Sequence, residues 1–161
     1  MTYLADLFID GVWRPGSSGE RFDVVDPSDL TVIERFAVAT EEDCMAAVDA
    51  AAAVFRQRGY VATSIDHLVE ATGVHRGSLY GVFGSKHGLF LRVLDAAAAP
   101  GADPVERLDV LLVALLELAP ADARVRGRAD LLRIGNDITQ EQLGSRLLAR
   151  AGLGERGSLH E

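Results

Sequence analysis

Hydrophobic and polar positions follow two different periods along this chain, and the period changes near residue 40. Before that point, apolar runs flank Asp10-Gly11, a pair that favours the type I′ turn of a β-hairpin because both turn residues need a positive φ. The runs RFDVV and TVIERFAV bracket DPSDL, where Pro27 and Asp29 favour chain reversal. The first forty residues therefore predict a small four-stranded module.

From Thr40 onward the apolar residues recur at helical spacing. Thr40 and Asp43 match a capping box, and Gly59 suits the C-terminal end of the same helix. The predicted apolar face of this helix consists of Met45, Val48, Ala51, Ala52 and Phe55.

Three shorter helical patterns follow. Thr63 or Ser64 is positioned to cap the first, Gly73 ends it with a sharp turn, the second begins near His75, and Ser85 caps the third. Two helices joined by a short turn that contains glycine form the layout of a helix-turn-helix. The predicted inward positions are Ile65, Leu68 and Val69, then Leu79, Val82 and Phe83, and finally Leu89, Phe90, Val93 and Leu94.

A helical C-terminal region is predicted beyond Pro100-Gly101. Asp103, Pro104 and Glu106 form a coherent helix start, and a leucine stripe runs from there until Pro120 stops the helix. Further helices are expected over residues 122–134 and 139–151, the second with Thr139 and Gln142 as its capping box, and the last ten residues are expected to fray.

Composition supports a folded protein, since 48% of the 161 residues are hydrophobic and 25% are charged. The longest apolar run, which begins at Leu108, is about half the roughly 20 residues of a membrane helix and contains acidic residues. Asp6 and Asp10 interrupt the N-terminal segment, so it does not match a signal peptide. We therefore expect a cytoplasmic protein with no membrane partner, and Cys44, as the one cysteine, forms no intrachain disulfide.

The net charge of −8 is unevenly distributed along the chain. Residues 1–55 hold 3 basic and 11 acidic side chains, residues 56–95 hold 5 and 3, and residues 96–161 hold 8 and 10. The middle segment is thus the positive one, which is a weak electrostatic footprint for nucleic acid.

The stretch GYVATSIDHLVEATGVHRGSLYGVFGSKHGLFLRVL resembles the DNA-binding domain of TetR-type transcriptional regulators. The shared features are a Gly-Tyr, a Thr-Ser cap, a Gly-Val turn, a tyrosine in the recognition helix and a phenylalanine followed by Ser-Lys. The resemblance implies a transcriptional regulator, of repressor type, that binds double-stranded DNA in a sequence-specific way.

In a helix-turn-helix the second helix enters the major groove with its N-terminal end toward the base edges. Arg76 would pair with guanine, Ser78 would bond either partner of a base pair, and Gly77 would let the backbone approach. The resemblance implies phosphate contacts for Tyr80 and Lys86, and backbone N–H groups at the helix cap would hold another phosphate. The candidate DNA-binding residues are Thr63, Ser64, His75, Arg76, Gly77, Ser78, Tyr80 and Lys86.

Each candidate also has a plain structural interpretation. Arg76 and Lys86 would then be solvated helix residues, Tyr80 would be a packing residue, and Thr63 and Ser64 would do no more than cap. No catalytic, cofactor-binding or metal-binding residue is predicted, because the histidines 67, 75 and 87 offer no convergent ligand set.

Residues 3–55 resemble the N-terminal end of aldehyde dehydrogenases, through LFIDGVWRP, FDVVDP, TVIERFAVAT and EEDCMAAVDAAAAVF. That resemblance implies a β-hairpin arm and the first helix of a larger cofactor-binding domain, so the chain looks like a chimera joined near residues 46–56. The family's nucleophilic cysteine, general base and cofactor loop belong further downstream. We therefore expect a protein that is not an enzyme, without aldehyde dehydrogenase activity and without a cofactor.

The expected fold class is α+β and mainly α-helical, built on a helix-turn-helix three-helix unit. It divides into a β-hairpin arm over residues 1–40, a DNA-binding domain over 41–99 and a shortened helical domain over 100–161. The expected partners are double-stranded DNA and a second subunit, in a homodimer or in a heterodimer with a full-length regulator; the C-terminal region is short for a small-molecule effector pocket. The alternative function is a protein–protein interaction module or an inactive fusion fragment.

Overall fold

The computed structural model describes residues 6–9, 12–37, 40–74 and 76–153. Within these residues four short strands are followed by seven helices, which confirms the mainly helical α+β class. The elements are β1 (Leu7–Ile9), β2 (Val12–Arg14), β3 (Arg21–Val25), β4 (Val32–Ala37), α1 (Glu41–Arg58), α2 (Ile65–Thr72), α3 (Arg76–Phe83), α4 (Lys86–Ala98), α5 (Pro104–Val113), α6 (Ala123–Gly135) and α7 (Gln140–Arg150).

The four strands pair as two separate hairpins within the described residues, not as one four-stranded sheet. β1 and β2 are antiparallel with Ile9 opposite Val12, which confirms the first hairpin; its predicted turn, Asp10-Gly11, lies outside the described residues. β3 and β4 are also antiparallel, and in their connection Asp29 Oδ1 accepts hydrogen bonds from the amide and hydroxyl of Thr31 at 3.0 and 2.7 Å. Among the described residues each strand therefore pairs only with its neighbour in sequence, as short turns favour.

Helix α1 begins and ends where the sequence predicts. The Thr40 amide donates to Asp43 Oδ2 at 2.9 Å and the Asp43 amide donates to Thr40 Oγ1 at 3.2 Å, so the capping box is formed. Gly59, at φ +79°, ends the helix by donating to the Phe55 carbonyl at 2.8 Å. The prediction that Met45 lies on the buried apolar face was wrong, since Met45 is 43% exposed. Ala47, which lies one turn before Ala51, takes the buried position instead.

The chain separates into two compact units that interleave along the sequence. The first contains residues 1–54 and 63–89, hence the strands, most of α1, α2, α3 and the start of α4. The second contains residues 55–62 and 90–161, hence the ends of α1 and α4 together with α5, α6 and α7. Of the helices described, none combines the length and the hydropathy that crossing a membrane requires.

An aromatic cluster lies within the second unit. The ring centroid of Phe55 is 5.0 Å from that of Phe90 and 5.8 Å from that of Tyr60. Phe55 and Phe90 are fully buried, and edge-to-face packing of this kind adds to the burial of apolar area.

The C-terminal helices start at the predicted caps. Asp103 Oδ1 accepts from the amides of Val105 and Glu106, both at 2.9 Å, and Thr139 and Gln142 form a reciprocal capping box. The predicted leucine helix does not stay α-helical to Pro120, because a π-helical turn, Ala114–Leu118, follows α5. This turn places Glu117 so that its Oε2 accepts a hydrogen bond from the Val61 amide at 2.7 Å.

A buried carboxylate joins α5 to α7 inside the second unit. Asp109 is 7% exposed and receives a two-pronged contact from Arg146, Nε to Oδ1 at 2.7 Å and Nη2 to Oδ2 at 2.5 Å. Arg150 Nη1 lies 3.1 Å from Oδ1. Burial by itself raises the pKa of Asp109, but the hydrogen bonds and charges of the two arginines outweigh burial and hold that pKa below its ordinary value.

We predict that Gly59→Ala lowers the free energy of unfolding by about 1–2 kcal/mol, because φ +79° strains an L residue and an added Cβ would overlap the Glu117 carboxylate. The control is Gly144→Ala in α7, where a Cβ meets no described atom within 4 Å. That control should stabilise the protein by about 0.5–1 kcal/mol through helix propensity. Urea denaturation measures both changes, and equal effects of the two variants would contradict the prediction.

We predict that Asp109→Asn costs about 1–3 kcal/mol, because two arginines lose their ionised partner. Since the folded pKa of Asp109 is depressed, its contribution is fully present above the ordinary carboxyl pKa and is lost as the pH falls toward the folded pKa. The variant should therefore lose less stability than the parent below about pH 4 in thermal melts. Asp130→Asn, in an exposed pair with Arg133, is the control and should cost about 0.5 kcal/mol or less.

Candidate nucleic-acid interface

The sequence predicts either Thr63 or Ser64 as the N-cap of helix α2. Ser64 is the N-cap: its Oγ accepts from the His67 amide at 3.1 Å, and its own amide donates to His67 Nδ1 at 3.2 Å. His67 thus takes the place that Glu or Gln usually holds in a capping box. The cap fixes the direction in which the first turn of α2 leaves the preceding loop.

The connection from α2 to α3 is held by a buried hydroxyl. Thr72 Oγ1 donates to the Leu68 carbonyl at 2.6 Å and accepts from the Val74 amide at 3.2 Å. Gly73 follows with φ +65°, a conformation that favours glycine. The sequence pattern predicts the turn from Gly73 alone and gives no role to Thr72. The feature that could have indicated this role is a threonine directly before the glycine.

Helix α3 buries a narrow strip of its surface. Leu79 is 5% exposed and Phe83 is half-buried. The prediction that Val82 faces inward was wrong, since it is 60% exposed. With only eight residues, α3 buries a strip around Leu79, and Val82 projects about 100° around the helix from Phe83.

The predicted base-reading residues lie at the start of α3. Arg76 is its first residue, with 52% of its side chain exposed, and Gly77 beside it is also exposed. Ser78 has helical backbone, but its side chain and the whole of His75 lie outside what the structure describes. The first turn of α3 therefore presents Arg76 to solvent.

Arg76 has an acidic partner that sequence reasoning did not identify. Its Nη2 forms an ion pair with Oδ1 of Asp66, which lies in the first turn of α2 and has a side chain 79% exposed. The two residues are ten positions apart, beyond the spacing at which one helix would pair them. Only the turn between the two helices brings them together.

The predicted phosphate-contacting residues are placed around the start of α2 and along α3. Lys86 Nζ donates to the Thr63 carbonyl at 2.7 Å, while the Thr63 side chain is buried. Ser64 is exposed, and Tyr80 is 44% exposed on α3. This part of the first unit thus carries guanidinium, ammonium and hydroxyl donors, which are the groups that bind phosphate oxygens and base edges.

The family described as "Bacterial regulatory proteins, tetR family" matches residues 47–93, from within α1 to within α4. The HTH-type transcriptional repressor ComR of Escherichia coli K12 is 54% identical over 50 residues, which cover 31% of this chain and 24% of that protein. The HTH-type transcriptional repressor BdcR of the same strain is 41% identical over 59 residues, or 37% of this chain and 30% of that protein. The chain thus matches less than a third of the length of either repressor.

Two further similarities are more limited. A D-glyceraldehyde dehydrogenase (NADP(+)) of Picrophilus torridus is 41% identical over 51 residues, 32% of this chain and 10% of that enzyme, which partly fits the resemblance of the N-terminal segment. The crystal structure of PfmR, a TetR family transcriptional regulator of Thermus thermophilus, aligns with a TM-score of 0.42 at 23% identity, over 70% of this chain and 75% of that chain.

The family match covers every element of the geometry described above: the end of α1, the Ser64 cap, α2, the Thr72-Gly73 turn, α3 and the start of α4. The matched family is described as one of regulatory proteins. Residues 47–93 of this chain, which contain the helix-turn-helix, are therefore similar to the tetR family of bacterial regulatory proteins and to two HTH-type repressors.

Proposed function

We propose that this chain is a cytoplasmic transcriptional regulator that represses by binding specific sequences of double-stranded DNA through α3. The observation that carries the proposal is the exposed guanidinium of Arg76 at the first position of α3, directly after the turn of a TetR-type domain. In helix-turn-helix proteins this end of the second helix meets the base edges. Both E. coli relatives are named as repressors, which supports the direction of regulation.

Base recognition is assigned to the first turn of α3. Arg76 would donate two hydrogen bonds to O6 and N7 of a guanine, the commonest specific contact in the major groove. Gly77 presents no side chain there, so the backbone would approach the groove closely. Ser78 and His75 are assigned to neighbouring base edges from their positions in the sequence.

Phosphate contacts are assigned to the groups that flank this turn. Lys86 places its ammonium, a group with three donors, beside the Thr63 carbonyl just before the start of α2. Ser64 and Tyr80 are exposed and would donate to phosphates on either side of the groove, while buried Thr63 would contribute only through its backbone. These contacts would hold the register of the protein on the duplex without reading sequence.

A second subunit is proposed to pack on α6 and α7. In α6, Leu131 is 73% and Ile134 is 58% exposed, and in α7 Leu147 and Leu148 are 41% and 50% exposed. Large apolar side chains left exposed on two helices of one unit are typical of a subunit interface. A two-fold dimer would present two copies of α3 to a palindromic operator.

We predict that Arg76→Ala weakens binding to the preferred duplex by about tenfold or more, because one bidentate contact to guanine accounts for about 1–3 kcal/mol. The preferred duplex is first selected from random double-stranded DNA, and fluorescence anisotropy then measures the dissociation constants. The matched control is Arg133→Ala, which removes another half-exposed arginine that is paired with an aspartate on a helix. Equal effects of the two substitutions, or the absence of any selected sequence, would favour the interaction module or the inactive fragment instead.

We predict that Leu131→Asp converts the dimer to a monomer at micromolar concentration, because it places a charge in the proposed apolar interface. Light scattering measures the mass before and after the change. Leu30→Asp, at a 74% exposed leucine in the β3–β4 connection, is the control and should leave the mass unaltered. A parent protein that is already monomeric would contradict the proposed dimer without affecting the assignment of Arg76.

A further inference from the structure

We propose that Asp66 is an intramolecular competitor for Arg76, and that it limits how tightly the protein holds DNA. The inference rests on the proposed function, because it concerns the arginine assigned to base recognition. Its basis is the ion pair between Arg76 Nη2 and Asp66 Oδ1, which joins the first turns of α2 and α3. Both side chains are more than half exposed, so a duplex reaches them without displacing the core.

The geometry of the guanidinium makes the two contacts compete. Arginine offers two edges for a bidentate contact, Nε with Nη2 and Nη1 with Nη2, and both include the nitrogen that Asp66 holds. Nη2 contributes one of its two N–H groups to each edge, so the Asp66 carboxylate occupies a donor that one of the two edges needs and holds the guanidinium toward α2. Arg76 therefore reads a guanine through that edge only after the ion pair opens, and through the other edge only while the guanidinium stays oriented by Asp66.

The carboxylate also opposes DNA after Arg76 has left it. Asp66 lies in the first turn of α2, where the positive end of the helix dipole favours a negative charge. Asp66 lies two residues after the Ser64 cap, which is assigned to a phosphate contact, so its carboxylate would lie near the backbone of a bound duplex. Asp66 therefore weakens DNA binding in two ways: through the ion pair with Arg76 that is lost, and through repulsion from the backbone of the duplex.

Removing this charge while keeping the shape of the side chain tests the inference. Asp66→Asn should tighten binding to both the selected and a random duplex by about two- to fivefold, the range expected for an exposed ion pair. On the random duplex the slope of log K against log salt should steepen by about one, because the released Arg76 becomes available to a phosphate. The matched control is Glu70→Gln, an exposed acid one turn later on α2.

A double-mutant cycle separates the pair from the general effect of charge. In an Arg76→Ala background, Asp66→Asn should gain no more affinity than Glu70→Gln does, because the arginine for which Asp66 competes is absent there. Asp66→Ser serves as a second neutral variant, and thermal melts verify that each variant is folded. If Asp66→Asn binds as Glu70→Gln does, the competition is refuted. Weaker binding by Asp66→Asn would instead make Asp66 a support for Arg76.

The outcome for the unaltered protein separates this inference from the proposed function. If the parent binds duplex DNA and the Asp66 variants bind no tighter, the inference alone fails. If neither the parent nor Asp66→Asn binds a duplex at low salt, the proposed function fails and the inference fails with it.

Discussion

The turn between α2 and α3 is the constraint on which the proposed DNA-binding surface depends. Thr72 uses one buried hydroxyl to accept from the Val74 amide and to donate to the Leu68 carbonyl, and Gly73 supplies a positive φ that other residues adopt at a cost. These two residues set where α3 begins. Arg76 is exposed because the chain reverses there, and Leu79 is buried for the same reason.

Two cations of this surface are engaged by oxygens of the chain itself. Arg76 is paired with Asp66, and Lys86 donates to the carbonyl of Thr63 just before the Ser64 cap. Such contacts orient long side chains that would otherwise lose conformational entropy on binding. Under the proposed function, binding DNA is therefore an exchange of partners, in which the duplex would replace these internal oxygens. This exchange matters in a chain whose net charge is −8, where attraction to DNA is local.

The errors of sequence reasoning have a common cause. Helical periodicity placed Met45 and Val82 on apolar faces, but both are exposed, because a short or alanine-rich helix buries a narrower strip than its pattern suggests. Likewise, the leucine pattern from Leu108 gave no sign of the π-helical turn that places Glu117 beside the Val61 amide. The burial of a helix face and the position of a π-helical turn both depend on the elements that pack against the helix. The residues of that helix alone do not encode those neighbours.

The amino-acid sequence by itself determined the local features: the hairpins, the caps at Thr40, Asp103 and Thr139, and the glycines that end α1 and α2, because each depends on residues within a few positions of one another. It also identified the TetR-type segment through closely spaced motifs. Only the tertiary structure decided the pairs Asp66–Arg76, Thr63–Lys86 and Asp109–Arg146. Their members are 10, 23 and 37 positions apart, so the folded chain alone brings these groups together.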